Sequence, residues 1–432
     1  MVQGRTWLIA ILLLALGGRL LSAWVVQRQV GDQLCLIAGD AEGYWQLARK
    51  MAAGGSFEFA DPPRRVHRMP GFPAVLALSM KLFGENPLAA RCLLAFVGTA
   101  ACGAVYLLGR QLFDERIGLI ACGLTAISPV MAGFSVLLLS ETLFALTLTL
   151  SLWCMAKWLE GTVAVTRSVS EGAGPQDPRL RFGLLWPIAT GIGIAVATLV
   201  RPSWLLAGPL LAVVVVGLSF GKTDHGLRPS AYGRRLQAIV MLAALFVTLL
   251  PWAWRNHSVS GHWVFTTLWS GPSLYDGLNP VANGDSNMEF FDRDNLMATM
   301  TEWDVDQHYK NAAWQFARQN PGRAIELTFW KLWRYWKPVP SAEQFGGFWP
   351  ALLVAGFFVP VSVLAVRGWW LVRSRPWAWL LTLGPIVYFA AIHSVFVGSL
   401  RYRLPTEYPL CVLAAVGLSD WIGRRSGRNT DG

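Results

Sequence analysis

The chain has 432 residues, of which 54% are hydrophobic and 15% are charged, and it carries a net charge of +11. Several apolar runs reach the roughly 20 residues that are needed to cross a bilayer core. The composition therefore excludes an ordinary soluble protein and predicts an all-α, multi-pass membrane protein. The positive charge lies in alternate segments between the apolar runs, which favours a topology signal over nucleic-acid binding.

Ten segments are predicted to span the membrane. They lie near residues 7–26, 88–108, 117–134, 138–158, 182–199, 203–220, 237–254, 348–366, 377–396 and 404–422. Arg and Lys collect in five of the intervening or terminal segments, namely 110–116, 167–181, 222–235, 367–375 and 424–428. By the positive-inside rule these segments are cytoplasmic, and so are both termini.

This topology leaves two long segments outside, 27–87 and 255–347. It divides the chain into residues 1–254, which include the first outer segment, the outer segment 255–347, and the C-terminal helices 348–432. The apolar run from Pro73 to Phe83 is too short to span and predicts a re-entrant or interfacial helix. A helical stretch at 304–336, with Trp, Lys and Arg mixed near its end, is typical of a headgroup surface.

The first outer segment contains the sequence GDAEGYWQLA, in which Asp40 begins a predicted helix. Tyr44, Leu47 and Ala48 would then share one face. Two interpretations of Asp40 remain open: a general base beside the membrane, or only the N-cap of this helix. Glu42 points away from Asp40 and is better explained as a solvated first-turn acid.

Five arginines stand at predicted outer ends of spans, where the positive-inside rule disfavours them. They are Arg68, Arg201, Arg255, Arg401 and Arg403. Arginine binds phosphate with two hydrogen bonds, so the set indicates an anion site. For any single arginine, snorkelling to the interface or pairing with a nearby acid explains the position equally well.

Three further polar features are ambiguous. Arg19 lies inside the first span, where a charge needs a partner or an aqueous cavity, or snorkels outward. Glu141 either faces the same cavity as Asp40 or merely opens its helix. A turn-rich loop could bind sugar hydroxyls but has the composition of any turn; its polar residues are Tyr275, Asp276, Asn279 and Asn283.

Several chemistries lack sequence support. The histidines form no HExxH pair, the cysteines show no metal-ligand spacing, and there is no Walker A, GxSxG or GxGxxG motif. We therefore expect no metal site and no cofactor, although a role for a divalent ion is left open.

The order of several motifs resembles a known group of enzymes. GDAEGYWQLA is followed by RMPGFPAVLALSMKLFG, LLLSETLF, LVRPSWLL, PWAWRNHSVSGHWVF and finally RYRLPTEYPL. This series is similar to the membrane-embedded glycosyltransferases of the GT-C type. Within them it most resembles glycosyltransferase family 39, with its aminoarabinose transferases and protein O-mannosyltransferases.

The resemblance implies transfer of a monosaccharide from a polyprenyl phosphate to an acceptor, with inversion, on the outer face of a bacterial-type inner membrane. It implies that Asp40 is the base. We interpret the five arginines as candidates for the donor phosphate, and Glu42, Tyr44 and Glu141 as candidates for the sugar or acceptor cavity. Many family members have a second acid directly after the Asp, but Ala41 stands there in this chain. The expected partners are the donor, an unidentified acceptor and membrane lipids.

Two alternatives from other classes remain. A secondary transporter would need ionisable or broken-helix sites near the middle of the bilayer, often in paired halves. A membrane assembly factor would need neither Asp40 nor the outer arginines.

Overall fold

A computed structural model describes residues 2–31, 34, 39–170, 183–217, 231–340 and 347–428. Parts of the charged segments 167–181 and 222–235 lie outside these described residues. The helices in chain order are α1 Val2–Val30, α2 Asp40–Ala52, α3 Gly71–Phe83, α4 Pro87–Leu112, α5 Glu115–Ile127, α6 Pro129–Phe134, α7 Glu141–Ser170, α8 Leu185–Val200, α9 Ala207–Gly217, α10 Ala231–Ser260, α11 Ser270–Gly277, α12 Glu289–Asp294, α13 Glu302–Gln319, α14 Pro321–Trp336, α15 Phe348–Val372, α16 Pro376–Val395 and α17 Leu400–Arg428. Short 3₁₀ turns occur at Pro202–Trp204 and Leu296–Ala298.

The helices confirm the prediction of an all-α polytopic membrane protein. Six of them (α1, α4, α7, α10, α15 and α16) are long and apolar enough to cross a membrane. The other four predicted spans also contain helices. Helices α5, α8 and α9 are shorter than the six, and α17 is more polar. In the second outer segment, α13 and α14 meet at Asn320, so the expected helical stretch is broken where Pro321 begins a new helix.

The predicted span 117–134 is not one continuous helix. It divides into α5 and α6 at Ser128, whose backbone is extended and whose hydroxyl accepts a hydrogen bond from the Met131 N–H. The cause is Pro129, because a proline disfavours helical geometry in the residue before it and is well suited to the first position of a new helix.

The bundle is centred on α4 and α17. Helix α4 packs against α1, α5 and α7, and α17 packs against α15, α16, α5 and α7. Helices α15 and α17 approach each other closely, since a Cβ atom added at Gly368 would lie 2.0 Å from the carbonyl oxygen of Leu413. Small residues at such crossings let membrane helices pack backbone against backbone.

Contacts between helix ends define the two ends of the bundle. Helices α7 and α17 begin side by side, because Glu141 and Arg401 form an ion pair. Their far ends also meet other helices: Trp158 donates to Gln237 at 3.0 Å, and Asp420 pairs with Arg367. Charged and polar residues therefore close both ends of a bundle whose middle is largely apolar.

Candidate active site

Helix α2 presents Asp40 at its first position. The chain enters the helix through Gly39, whose φ of 110° is a conformation that glycine adopts readily. Tyr44, Leu47 and Ala48 are buried as the predicted stripe requires, and they hold the helix against the bundle. Asp40 thereby lies at the exposed end of an anchored helix.

The Asp40 carboxylate makes two ion pairs and does not cap its helix. Oδ1 accepts a hydrogen bond from Arg68 Nη2 at 2.6 Å, and Oδ2 lies 2.8 Å from Arg401 Nη1. The N-cap position is Gly39, which has no side chain to cap α2, and its N–H is met by Glu42 from within the helix. The side chain remains 34% exposed, so both its charge and its access to solvent are retained.

A second acid extends this arrangement. Glu141 Oε1 accepts from Arg201 Nη2 at 3.0 Å and also from Arg401 Nε. The Glu141 side chain is fully buried, and a buried carboxylate requires such pairing. Arg401 therefore bridges the two acids, and we call Arg68, Asp40, Arg401, Glu141 and Arg201 the charged cluster.

Two tyrosines support the arginines of the charged cluster. The Arg68 guanidinium lies 4.7 Å from the ring centre of Tyr44, and the Arg201 guanidinium lies 5.3 Å from that of Tyr402. Such cation–π contacts orient the planar groups. Our sequence interpretation missed Tyr402, although an aromatic residue between the two arginines of RYRLP was a usable signal.

The charges keep Asp40 ionised. Burial alone would raise the pKa of the Asp40 carboxyl group, but Arg68 and Arg401 outweigh it and hold the pKa well below its ordinary value of 3.8. Burial, with the charges of Arg68 and Arg64, holds the pKa of His67 well below 6.5, so this neighbouring ring is neutral. His67 therefore adds no charge beside Arg68 and Asp40.

Two of the five arginines lie away from the charged cluster. Arg403 is fully buried, where its Nε pairs with Glu407 at 2.7 Å and its Nη1 donates to the Tyr335 carbonyl. Arg255 donates to the carbonyl oxygens of Arg65 and Phe57. The structure thus brings together three of the arginines that the sequence ranked equally.

Replacing Arg403 by methionine is expected to destabilise the protein without changing its anion affinity. Removing one partner of a buried ion pair leaves Glu407 unpaired, at a cost of about 3–5 kcal/mol. Thermal unfolding in detergent measures this loss. Arg424→Met, at an exposed pair, is the control and should change stability by about 0.5 kcal/mol or less. Weakened binding of a polyprenyl phosphate by folded Arg403→Met protein would contradict the prediction.

The remaining candidates are placed outside the charged cluster or in local contacts. Glu42 is exposed, and its Oε2 accepts from the Gly39 N–H at 3.4 Å. Asp276 is buried and accepts from Ser286 Oγ and Asn287 N, so it stabilises its own loop. The contact of Glu42 is that of a first-turn acid, and the contacts of Asp276 are those of an ordinary turn.

Arg19 has partners inside the bundle. It is fully buried, and its guanidinium donates to the Ala15 carbonyl, the Thr125 carbonyl and Cys102 Sγ at 3.1–3.3 Å. It therefore joins α1 to α4 and α5. Within the described ranges, no three His, Cys, Asp or Glu side chains converge closely enough to hold a metal ion.

Comparisons with known proteins agree with this architecture. Residues 65–165 match a family described as dolichyl-phosphate-mannose-protein mannosyltransferase. This range includes Arg68 and Glu141 but not Asp40. No curated protein matches the chain.

Solved structures match almost the whole chain. The oligosaccharyltransferase AglB of Archaeoglobus fulgidus, in complex with an inhibitory peptide and a dolichol-phosphate, has a TM-score of 0.60 at 15% identity, over 99% of this chain and 52% of that one. An Archaeoglobus fulgidus oligosaccharyltransferase in the apo form has a TM-score of 0.62 at 16% identity, with the same coverage. ArnT of Cupriavidus metallidurans bound to undecaprenyl phosphate has a TM-score of 0.53 at 18% identity, over 96% of this chain and 60% of that one.

The chain spans about half the length of the AglB structures and 60% of ArnT. Sequence identities this low support a similar fold, and the activity has to be inferred from the chemistry of the site. In its fold and in residues 65–165, the chain resembles the GT-C type integral-membrane glycosyltransferases, with family 39 among them.

Proposed function

We propose that the chain transfers a monosaccharide from a polyprenyl-phosphate donor to an acceptor on the extracytoplasmic face of a bacterial-type inner membrane. The observation that carries the proposal is Asp40 held between Arg68 and Arg401, with Arg201 beside them, at one end of a membrane bundle. The acceptor is a lipid, protein or glycan that offers a hydroxyl or amine.

The charge of the cluster suits this donor. Its three arginines and two acids leave one positive charge at neutral pH. A sugar–phosphate–polyprenyl diester carries one negative charge and would neutralise the site. When the sugar leaves, the phosphate gains a second negative charge, and arginines already in place stabilise it.

Asp40 would act as the general base. The acceptor gives its proton to the Asp40 carboxylate as its oxygen or nitrogen attacks the anomeric carbon. The bond from that carbon to the phosphate oxygen breaks, and the phosphate departs with the electron pair. One displacement of this kind inverts the anomeric carbon.

Both Asp40 oxygens are engaged by guanidinium groups. A phosphate that binds the same arginines competes with Asp40 for them. Donor binding would therefore make Asp40 a better base at the moment when a base is required.

The outer location rests on the positions of the charges. Residues of the charged cluster come from predicted outer ends of spans, whereas Trp158, Gln237, Arg367 and Asp420 come from predicted inner ends. In a Cys35→Ser background, which removes the native cysteine of the first outer segment, we expect an impermeant thiol reagent, applied to intact cells, to label Asn311→Cys and to spare Arg116→Cys. Both positions are exposed in the structure. The reverse labelling pattern would contradict the proposed orientation.

A reconstituted assay tests the activity itself. The purified protein in nanodiscs would be given polyprenyl-phosphate sugars and membrane extract from a strain that lacks the gene. Mass spectrometry should detect a glycosylated product and free polyprenyl phosphate, and neither should form with Asp40→Asn protein. Donor that remains intact with every extract fraction would count against the proposal.

A further inference from the structure

The backbone just before Arg68 is held by the second outer segment. The N–H groups of Arg65 and Val66 both donate to the Glu302 carboxylate, at 2.9–3.2 Å. The Arg65 carbonyl accepts from Arg255 Nη1 at 2.5 Å, and the Val66 carbonyl accepts from the Leu268 N–H at 2.8 Å. All four backbone polar groups of these two residues are therefore bound by residues 255–302.

Side-chain packing reinforces these hydrogen bonds. Val66 is fully buried against Val264 and Leu268. The next residue, His67, lies with its ring centre 3.8 Å from that of Trp269. Residues 65–67 are thus held in position through both the backbone and the side chains.

Arg255 holds a second point of the same loop. Its Nη2 donates to the Phe57 carbonyl at 2.7 Å, while its Nη1 donates to the Arg65 carbonyl. Phe59 and Arg64 pair with each other between these points. Both Nη atoms of Arg255 therefore bind the loop that leads to Arg68. This contact explains why an arginine stands at this predicted outer end without contacting the phosphate itself.

We propose that Glu302 and Arg255 are positioning residues that hold Arg68 against Asp40 in the geometry that binds the donor phosphate. Fixing the backbone of residues 65–67 limits the position of the Arg68 Cα atom. From that position Arg68 Nη2 reaches Asp40 at 2.6 Å. The role rests on the proposed function, because it assigns these residues an effect on phosphate binding through Arg68. The second outer segment thereby affects the affinity of a site to which its described residues contribute no charged ligand.

A double-mutant cycle on the full-length protein in nanodiscs tests this role. The measured quantity is the Kd of a polyprenyl phosphate for wild type, Arg68→Ala, Glu302→Ala and the double variant. We expect Arg68→Ala to weaken binding about tenfold and Glu302→Ala to weaken it by up to about tenfold. Because Glu302 acts through Arg68, the double variant should bind no more weakly than Arg68→Ala.

Conservative and control variants separate positioning from general stability. Glu302→Gln keeps a carbonyl acceptor for the loop and should retain most of the affinity. Glu289→Ala removes an exposed acid of the same segment and should leave the Kd unchanged. Arg255→Ala should behave like Glu302→Ala, and Arg318→Ala, at an exposed position, serves as its control.

The outcomes distinguish the two proposals. If Arg68→Ala binds polyprenyl phosphate as tightly as wild type, the proposed phosphate site itself is wrong. If Arg68→Ala weakens binding but Glu302→Ala does not, or if the two effects add in full, the positioning role is wrong. If Glu302→Ala does not fold, the same cycle with Arg255→Ala decides the question. A lower unfolding temperature with an unchanged Kd would reveal a purely structural role and would also overturn the inference.

Discussion

Asp40→Asn protein is expected to transfer sugar about 10²–10⁴-fold more slowly than wild type while it still folds and binds the donor. Asparagine has nearly the same shape and still offers an oxygen to Arg68, but it cannot accept the acceptor's proton. Removing the negative charge also leaves the charged cluster more positive. Donor binding should therefore be retained or become tighter.

Single-turnover transfer and polyprenyl-phosphate binding, measured on the same preparation, check this expectation. Glu85→Gln is the matched control, because Glu85 is an exposed acid of the same outer segment and its pair with Arg49 lies at the surface. Transfer at the wild-type rate by Asp40→Asn protein would rule out this base. A membrane assembly factor would be indifferent to the change. A secondary transporter would show flux of substrate without a glycosylated product.

Arg401→Gln should have the second largest effect, because Arg401 contacts both acids of the charged cluster. Without Arg401 the charged cluster has no net positive charge with which to attract the donor phosphate. Charge-assisted hydrogen bonds of this kind contribute about 1.5–3 kcal/mol each, so we expect donor affinity to fall at least about tenfold. Arg401→Lys should recover part of it, since lysine keeps the charge but not the two-pronged geometry.

The same variant should change the pH dependence of transfer. Arg401 is one of the two charges that lower the pKa of Asp40. Without it that pKa rises, and a base is active above its pKa and inactive below. The acidic fall in kcat/KM should therefore move to higher pH in Arg401→Gln than in wild type. Profiles of both proteins measured from pH 3 upwards check the direction, and an acidic limb in Arg401→Gln that lies no higher in pH than that of wild type would contradict it.

The sequence predicted the helices well because their cause is local. An apolar run of about 20 residues forms a helix in a bilayer whatever its neighbours do, since its backbone polar groups must bond to one another. The buried stripe of α2 followed from helical spacing in the same way. The division of residues 117–134 was missed because the hydropathy pattern outweighed the local signal of Ser128 and Pro129.

The choice among the arginines could not be made from the sequence. Arg401 and Arg403 are two residues apart on one helix, so their side chains point about 200° apart around it. One reaches Asp40 and Glu141, and the other turns to Glu407 and the end of α14. Which direction leads to the site depends on the helices that pack on each face.

Local composition and spacing by themselves determined that this chain is an α-helical membrane protein with an acid and a set of arginines at one predicted surface. Only the tertiary structure decided that Arg68, Arg201 and Arg401 join Asp40 and Glu141, and that Arg255 and Glu302 hold the loop before Arg68. The reason is that a side chain's partners come from residues distant in the chain, up to 260 positions apart here. Their meeting depends on how the helices pack, which no local pattern encodes.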